Sequence, residues 1–175
     1  MNPDLRLYTF VNFYLSSIQQ GIQSAHVAHS LFVKYPSHHE NSILWDWAIN
    51  AKTMIVLNGG ALEDITRGFQ LVNEANLNHK GTALPFECFF EDSPSLGGIM
   101  TSFGIVLPPQ IYDAKKWSVI NGGMTGMNGG MAGINENSDS YFYFDETLGP
   151  PCREFSNGTP EYAFIKMLKS CGLAR

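Results

Sequence analysis

Residues 19–35, QQGIQSAHVAHSLFVKY, decide the fold. Apolar or small side chains recur at three- and four-residue spacing here, which predicts an amphipathic helix. The apolar face of that helix is expected to consist of Ile18, Ile22, Ala25, Ala28, Leu31 and Phe32. An apolar run at 7–13 (LYTFVNF) predicts a preceding strand. α/β proteins tend to bind anions where a strand is followed by a short turn and a helix that starts with glycine and polar side chains.

Two histidines mark this helix as a candidate site. His26 and His29 lie three residues apart, so both rings project from neighbouring positions. Each can be a general base, a ligand donor or a metal ligand, or simply a helix histidine that packs with partial hydrogen bonding. No third ligand in a zinc spacing accompanies them, so no metal is expected. Gly21 costs the helix roughly 1 kcal/mol relative to Ala, so we expect a reason for it, such as close backbone approach.

Strand and helix patterns alternate through the first 110 residues. Apolar runs predict strands at 7–13, 52–57 (KTMIVL), 86–90 and 99–107, with helices at 18–35, 43–51 and 61–76. We expect strand 52–57 in the interior of the sheet, because its side chains are mostly apolar. The short loop 91–98 makes the last two strands antiparallel. The order β-α-α-β-α-β-β therefore predicts an α/β fold with a small mixed sheet of about four strands and helices packed on it.

The composition changes after the sheet, which predicts an α/β domain at 1–112 and an extension at 113–175 packed on it. The extension contains a seven-residue near-repeat at 121–134, NGGMTGM followed by NGGMAGI. Its six glycines and three methionines disfavour a helix or a strand. The repeat is either a flexible loop or a binding segment whose backbone wraps a ligand, or orders against a second copy of the chain. A last helix is predicted at 159–171.

Charge and composition limit the classes of partner. Residues 1–110 contain five Lys or Arg against nine Asp or Glu, and the whole chain has a net charge of −5. Proteins that bind extended nucleic acid need clusters of Lys and Arg, so that class of partner is excluded. No apolar run of about 18 residues predicts a membrane span, and the N-terminus lacks a signal-peptide pattern. Three widely spaced cysteines are typical of free thiols in a reducing compartment, so we expect a cytoplasmic protein. We expect no cofactor.

Three ordered motifs carry a family resemblance. They are QGIQSAHVAHS at 20–30, WAINAKTMIVL at 47–57 and EDSPSLGGIMTSFGIVLPP at 91–109. The first is similar to a helix with a Gln-x-x-His pattern, the second to a Trp-containing helix that runs into a strand, and the third to an aspartate loop before a threonine-containing last strand. Together they resemble the type 2 (archaeal and eukaryotic type) peptidyl-tRNA hydrolase family over residues 5–110. The resemblance implies that family's fold.

The resemblance also implies a site. His29 matches the family's histidine, His26 its glutamine and Asp92 its catalytic aspartate, so we expect His26 and Asp92 in one pocket near the start of the helix. Asp92 is otherwise a loop-capping aspartate. The candidate ligand-binding residues are Gly21, Gln23, Ser95, Gly97, Gly98 and Thr101. Two family cations are missing, because Ile22 stands at the lysine position and SLGG at 95–98 replaces a Gly-Arg-Thr loop.

Two functions stay open at this point. The resemblance implies a hydrolase that acts on an aminoacyl or peptidyl ester, as at a tRNA 3′ end, or on a related small nucleotide conjugate. The missing cations and the acidic charge favour a non-catalytic protein that sequesters a small nucleotide-like ligand in the same cleft. In either case no membrane partner is expected, and a homo-oligomer is compatible with the sequence.

Overall fold

A computed structural model describes residues 4–79, 81–92, 97–116, 140–143 and 153–174. The near-repeat at 121–134 and the candidate residue Ser95 lie outside these ranges. The elements, in chain order, are β1 (Arg6–Val11), α1 (Ser17–Lys34), α2 (Ser42–Asp46), a π-helical turn (Trp47–Ala51), β2 (Thr53–Asn58), α3 (Leu62–Ala75), β3 (Asn78–His79), β4 (Thr82–Ala83), β5 (Phe86–Phe90), β6 (Met100–Leu107), α4 (Pro109–Tyr112), β7 (Lys115–Lys116), β8 (Ser140–Tyr143), β9 (Arg153–Ser156) and α5 (Pro160–Ser170).

A four-stranded sheet in the order β2-β1-β6-β5 organises the chain. β1 pairs with β2 in parallel, from Arg6 opposite Thr53 to Val11 opposite Asn58. β6 runs antiparallel to both β1 and β5. The mixed α/β fold with a sheet of about four strands, predicted from the alternation of patterns, is confirmed.

The predicted position of strand 52–57 in the interior of the sheet is wrong, because β2 lies at an edge. Its side chains are only partly covered: Leu57 is buried, Ile55 and Val56 are partly buried, and Met54 is 37% exposed. The C-terminal residues run beside its end, where Asn58 N donates to Gly172 O at 2.9 Å and Ala174 N donates to Val56 O at 3.0 Å. An apolar run predicts that a strand is covered, but it does not say whether a neighbouring strand or another segment covers it.

The helices cover both faces of the sheet. The Oγ1 of Thr9 in β1 lies 2.9 Å from the Oγ of Ser24 in α1. Phe10, the next residue, stacks on Phe103 of β6 and contacts Phe164 of α5. Successive side chains of a strand point to opposite faces, so α1 lies on one face and α5 on the other. Helix α3 joins α5 on its face, because an added Cβ at Gly68 would lie 2.9 Å from Met167 Sδ.

Helix α1 presents a different face to the sheet than predicted. Ile18 and Ile22 are 77% and 48% exposed, and Ala25 is exposed as well. The buried residues of the helix are Gln20, Gln23, Ser24, Val27 and Leu31. Three of these are polar, and hydrogen bonds compensate for their burial, so a pattern of hydrophobicity alone could not identify the inward side.

The remaining elements complete the described part of the chain. Helix α5, close to the bounds predicted from sequence, contributes Tyr162, Phe164, Ile165 and Leu168 to the core. Cys88 and Cys171 are free thiols. Among the described residues, no helix combines the length and apolar character needed to cross a bilayer.

Candidate functional site

A chain of hydrogen bonds joins α1, the end of β5 and β6. The hydroxyl of Thr101 donates to Gln23 Oε1 at 2.9 Å, and Gln23 Nε2 donates to Glu91 Oε1. Because the hydroxyl holds the amide oxygen, the amide NH₂ has to face the carboxylate. A hydrogen bond to an ionised acceptor is stronger than one between neutral groups, so Gln23 holds the Glu91 carboxylate in one orientation. We call Gln23, Glu91 and Thr101 the polar cluster.

The surroundings of the polar cluster fix it further. Ser102 Oγ donates to the main-chain oxygen of Gln23 at 3.3 Å, and Asn12 N donates to Thr101 O at 3.1 Å. Thr101 and Gln23 are 1% and 5% exposed, whereas Glu91 is partly exposed. The inner two members are therefore buried and satisfied, and the carboxylate is the member that a ligand can reach.

A register shift between β5 and β6 explains why two successive residues reach the same helix. Phe89 pairs with Ser102, but Phe90 pairs with Met100, so Thr101 has no opposite residue. In a regular strand, Thr101 and Ser102 would point to opposite faces. A β-bulge re-aims a side chain in this way, and both hydroxyls consequently contact Gln23.

Some predicted site residues join this cluster, and others lie on the surface near it. Gln23 and Thr101 belong to the cluster. His26 is exposed, and its ring stacks on Phe89 with a centroid distance of 4.3 Å and an interplanar angle of 10°. His29 and Asp92 are exposed and make no hydrogen bond or ion pair within the described part of the chain.

The three candidate glycines are exposed, and two of them have a backbone conformation that favours glycine. An added Cβ at Gly21 would meet no atom within 4 Å, so the close backbone approach expected there is not formed by the described residues. Gly97 and Gly98 have φ values of 68° and 71°, in the left-handed region that favours glycine. They form an exposed turn between the Glu91 segment and β6.

Sequence reasoning chose Asp92 and missed Glu91. Alternate residues of β5 face α1, because Glu87 Oε2 lies 3.1 Å from Lys34 Nζ and Phe89 stacks on His26. Continuing that alternation gives position 91 rather than 92. The signal was present in the sequence, but it required knowing which face of β5 contacts the helix.

Exposed apolar side chains lie beside the polar cluster. Phe13 and Tyr14 are 45% and 74% exposed, and their ring centroids are 3.8 Å apart. We call the following set the apolar rim: Phe13, Tyr14, Ile18 and Ile22. The two aromatic rings contact each other, and Ile18 and Ile22 lie one turn apart on the exposed side of α1. Exposed apolar side chains that lie together are typical of a binding site. The exposed Ile22 occupies the position at which the resemblance implies a lysine.

A cavity of about 880 Å³ lies elsewhere, between α3 and α5. None of the residues of the polar cluster lines it, and neither does His26 or Asp92. The polar cluster is thus separate from this cavity and lies on the face of the sheet covered by α1.

Other reactive groups offer little chemistry. Burial, with Glu87 alongside, raises the pKa of the Cys88 thiol to about 11, so this thiol stays protonated and unreactive near neutral pH. Within the described residues, no group of three or more His, Cys, Asp and Glu side chains is arranged to hold a metal ion. Neither a protein-family model nor a curated protein matches this chain.

Proposed function

We propose that the protein hydrolyses an ester bond in a small nucleotide conjugate, with the Glu91 carboxylate as general base. The hydrogen-bonded chain from Thr101 through Gln23 to Glu91 carries the proposal. It supplies a carboxylate that is oriented from a buried position and still accessible to solvent. Glu91 thereby takes the role that the resemblance to type 2 peptidyl-tRNA hydrolases gave to Asp92.

The second oxygen of Glu91 carries out the proton transfer in this proposal. Oε1 accepts from Gln23, and Oε2 makes no hydrogen bond within the described part of the chain. Oε2 takes a proton from a water molecule, whose oxygen attacks the ester carbonyl. The tetrahedral intermediate then expels the alcohol oxygen, which receives a proton from Glu91 or from the exposed His26. A positioned base of this kind contributes about 10²- to 10⁴-fold to the rate.

The apolar rim favours a short substrate. Phe13 and Tyr14 offer exposed aromatic surface on which a nucleobase can stack. Such stacking needs no phosphate contacts, and Ile22 provides no charge for them. An acidic chain with this rim suits a mononucleoside or the end of an RNA strand better than an extended tRNA.

One observation favours binding without cleavage as a second candidate. Ester hydrolysis develops negative charge on the carbonyl oxygen, and enzymes place cations or hydrogen-bond donors there. Where the resemblance implies a lysine, this chain has the exposed Ile22, which supplies neither a charge nor a side-chain donor. The same surface is therefore also suited to sequestering an intact nucleotide-like ligand.

A matched pair of variants tests the proposal. The probe is 3′-O-(N-acetylaminoacyl)adenosine, a minimal mimic of a peptidyl-tRNA 3′ end. Glu91→Gln and Asp92→Asn lie at adjacent positions, and each replaces one carboxylate by an amide of the same shape. We expect Glu91→Gln to lose at least about 10²-fold in hydrolysis and Asp92→Asn to retain it. Chromatography after heat denaturation then distinguishes cleaved from intact probe.

Each remaining outcome has a defined meaning. Loss of hydrolysis in Asp92→Asn but not in Glu91→Gln contradicts the assignment of the base. Intact probe recovered from the wild-type protein supports sequestration instead. If the wild-type protein neither binds nor cleaves the probe, both candidate functions fail for this class of ligand.

A further inference from the structure

The sheet has a point at which ligand sites commonly form. β1 and β2 are parallel neighbours, and the helices that follow them, α1 and α3, cover opposite faces. The ends of the strands are held together, since Gly59 N donates to Val11 O at 2.8 Å and Phe13 N donates to Gly60 O at 3.1 Å. In open α/β sheets, ligands bind outside the carboxyl ends of strands where the connections diverge to opposite faces.

A cavity opens from this point onto the α3 face. Asn58, Gly59 and Gly60, at the carboxyl end of β2, line it together with residues of α3 and α5. Its volume of about 880 Å³ falls within the range of about 300–1,000 Å³ that small-molecule sites have. The polar cluster lies across the sheet, so the cavity is a separate site and does not depend on the proposed hydrolysis.

Two cations line the cavity. Arg67 of α3 and Lys166 of α5 are exposed there, and neither makes a hydrogen bond or an ion pair within the described part of the chain. Two carboxylates, Asp64 and Glu74, line the cavity as well, and one oxygen of Asp64 accepts a hydrogen bond from Ala61 N at 3.0 Å. By contrast, Lys34 on the α1 face lies 3.1 Å from Glu87.

A neutral donor complements these charges. Asn58 Oδ1 accepts a hydrogen bond from Gly60 N at 3.0 Å, so the oxygen end of this amide is occupied. The NH₂ end makes no hydrogen bond within the described residues, and Asn58 lines the cavity. The guanidinium of Arg67, the ammonium of Lys166 and the amide NH₂ of Asn58 come from three elements that line one cavity, and they are donors of the type that hold phosphate and carboxylate oxygens.

We infer that this cavity binds a small dianion, with a phosphate monoester as the favoured class, between Arg67 and Lys166. Arg67 provides a planar fork that fits phosphate oxygens, and Lys166 provides a point charge from the facing helix. The ligand would pair with two cations that make no ion pair with the carboxylates of the same cavity within the described part of the chain. It would also bridge α3 and α5, so ligand should raise the melting temperature.

Titration of the 175-residue chain with phenyl phosphate tests this inference, with succinate in parallel. The double variant Arg67→Gln/Lys166→Gln is expected to lose at least 10-fold in affinity. The control Lys52→Gln removes an exposed cation outside the cavity and should bind within twofold of the wild type. Binding of succinate as well as phenyl phosphate supports a general dianion site, and binding of phenyl phosphate alone supports a phosphate site.

Some results would overturn it. An equal loss in Lys52→Gln and in the double variant would mean that the ligand responds only to net charge. No binding of either probe to the wild-type protein at millimolar concentration would also reject the site. Because both substituted side chains are exposed, circular dichroism should show that the double variant folds, which keeps the comparison valid.

Discussion

The two faces of the central sheet are packed in opposite ways. Under α1, the buried side chains include many hydroxyls and amides. They are Thr9, Gln20, Gln23, Ser24, Thr101 and Ser102, all at most 5% exposed. Under α3 and α5, the contacts are aromatic and aliphatic: Phe10 stacks on Phe103 at 4.5 Å with an interplanar angle of 8°, and Phe69 contacts the same ring at 6.1 Å.

The difference separates two roles. Apolar burial contributes roughly 25 cal/mol per Å² and does not depend on orientation, so the α3 face can supply most of the stability. A hydrogen bond contributes only about 1 kcal/mol net, but it requires one arrangement of donor and acceptor. The α1 face therefore adds little stability for its area, but it fixes the geometry of its side chains. Such a fixed geometry is expected of a face that carries a binding or catalytic group.

Truncating the aromatic core should give the largest effect. Phe103 is 1% exposed and contacts rings from both β1 and α3. Phe103→Ala is expected to lower the free energy of unfolding by about 3–5 kcal/mol, through lost burial and the cavity left behind. Urea unfolding measures this loss, and Phe103→Leu should cost much less. A loss below about 1 kcal/mol in Phe103→Ala would show that the α3 face is not the main source of stability.

Thr101→Val should have a smaller effect on stability and a larger one on function. The substitution keeps the shape but leaves Gln23 Oε1 buried without a donor, which should cost about 1–3 kcal/mol. The amide of Gln23 is then free to turn away from Glu91, so hydrolysis or binding should be lost as well. Thr101→Ser retains the hydroxyl and should retain function. If Thr101→Val destabilises the protein without any change in function, the polar cluster is structural only.

The sequence predicted the elements better than their orientation. Strand 86–90 was predicted with the bounds that the structure gives β5, and helix 18–35 differs from α1 by one residue at each end. These elements are local, since an apolar run between turn residues or a cap determines each of them. Ser16 and Gln19 form such a cap at the start of α1, with the Gln19 side chain accepting from Ser16 N at 3.0 Å.

The errors arise where distant residues decide the outcome. Helix α1 buries Gln23 instead of Ile22, and the hydroxyl of Thr101 on β6 compensates for that burial by donating to the amide oxygen of Gln23. A pattern of hydrophobicity does not contain this hydrogen bond. Strand β2 lies at an edge of the sheet, and the end of the strand forms hydrogen bonds with Gly172 and Ala174. Glu91 rather than Asp92 faces the helix, and this depends on which face of β5 packs on α1. Each of these depends on contacts across the fold.

Two glycine substitutions compare the exposed side of α1 with the side that packs on the sheet. Gly21→Ala should raise the free energy of unfolding by about 1 kcal/mol, because the new methyl group meets no atom within 4 Å and alanine favours the helix. At Gly104 on β6, an added Cβ would lie 2.8 Å from Val27 and 3.0 Å from Tyr8 O, so Gly104→Ala should destabilise by about 1–3 kcal/mol.

The functional result for Gly21→Ala sharpens the comparison. If a ligand approaches the exposed backbone of α1, this variant should melt at a higher temperature and bind more weakly. Thermal unfolding and binding to the adenosine probe, measured on the same sample, detect the two changes together. Higher stability with unchanged binding would show that Gly21 has no part in the site.

The smallest expected effect is the pH dependence that Cys88 adds to stability. Burial raises the pKa of this thiol from 9.0 to about 11. The unfolded chain therefore releases the proton first, and the folded state holds more protons between pH 9 and about pH 11. The stabilisation is fully present below pH 9 and is lost as the pH rises towards 11. Cys88 is only partly buried, so the loss should be modest. Urea unfolding at pH 8, 9.5 and 11 should show a steeper decline for the wild type than for Cys88→Ala, and equal slopes would mean that the thiol is solvated like a free cysteine.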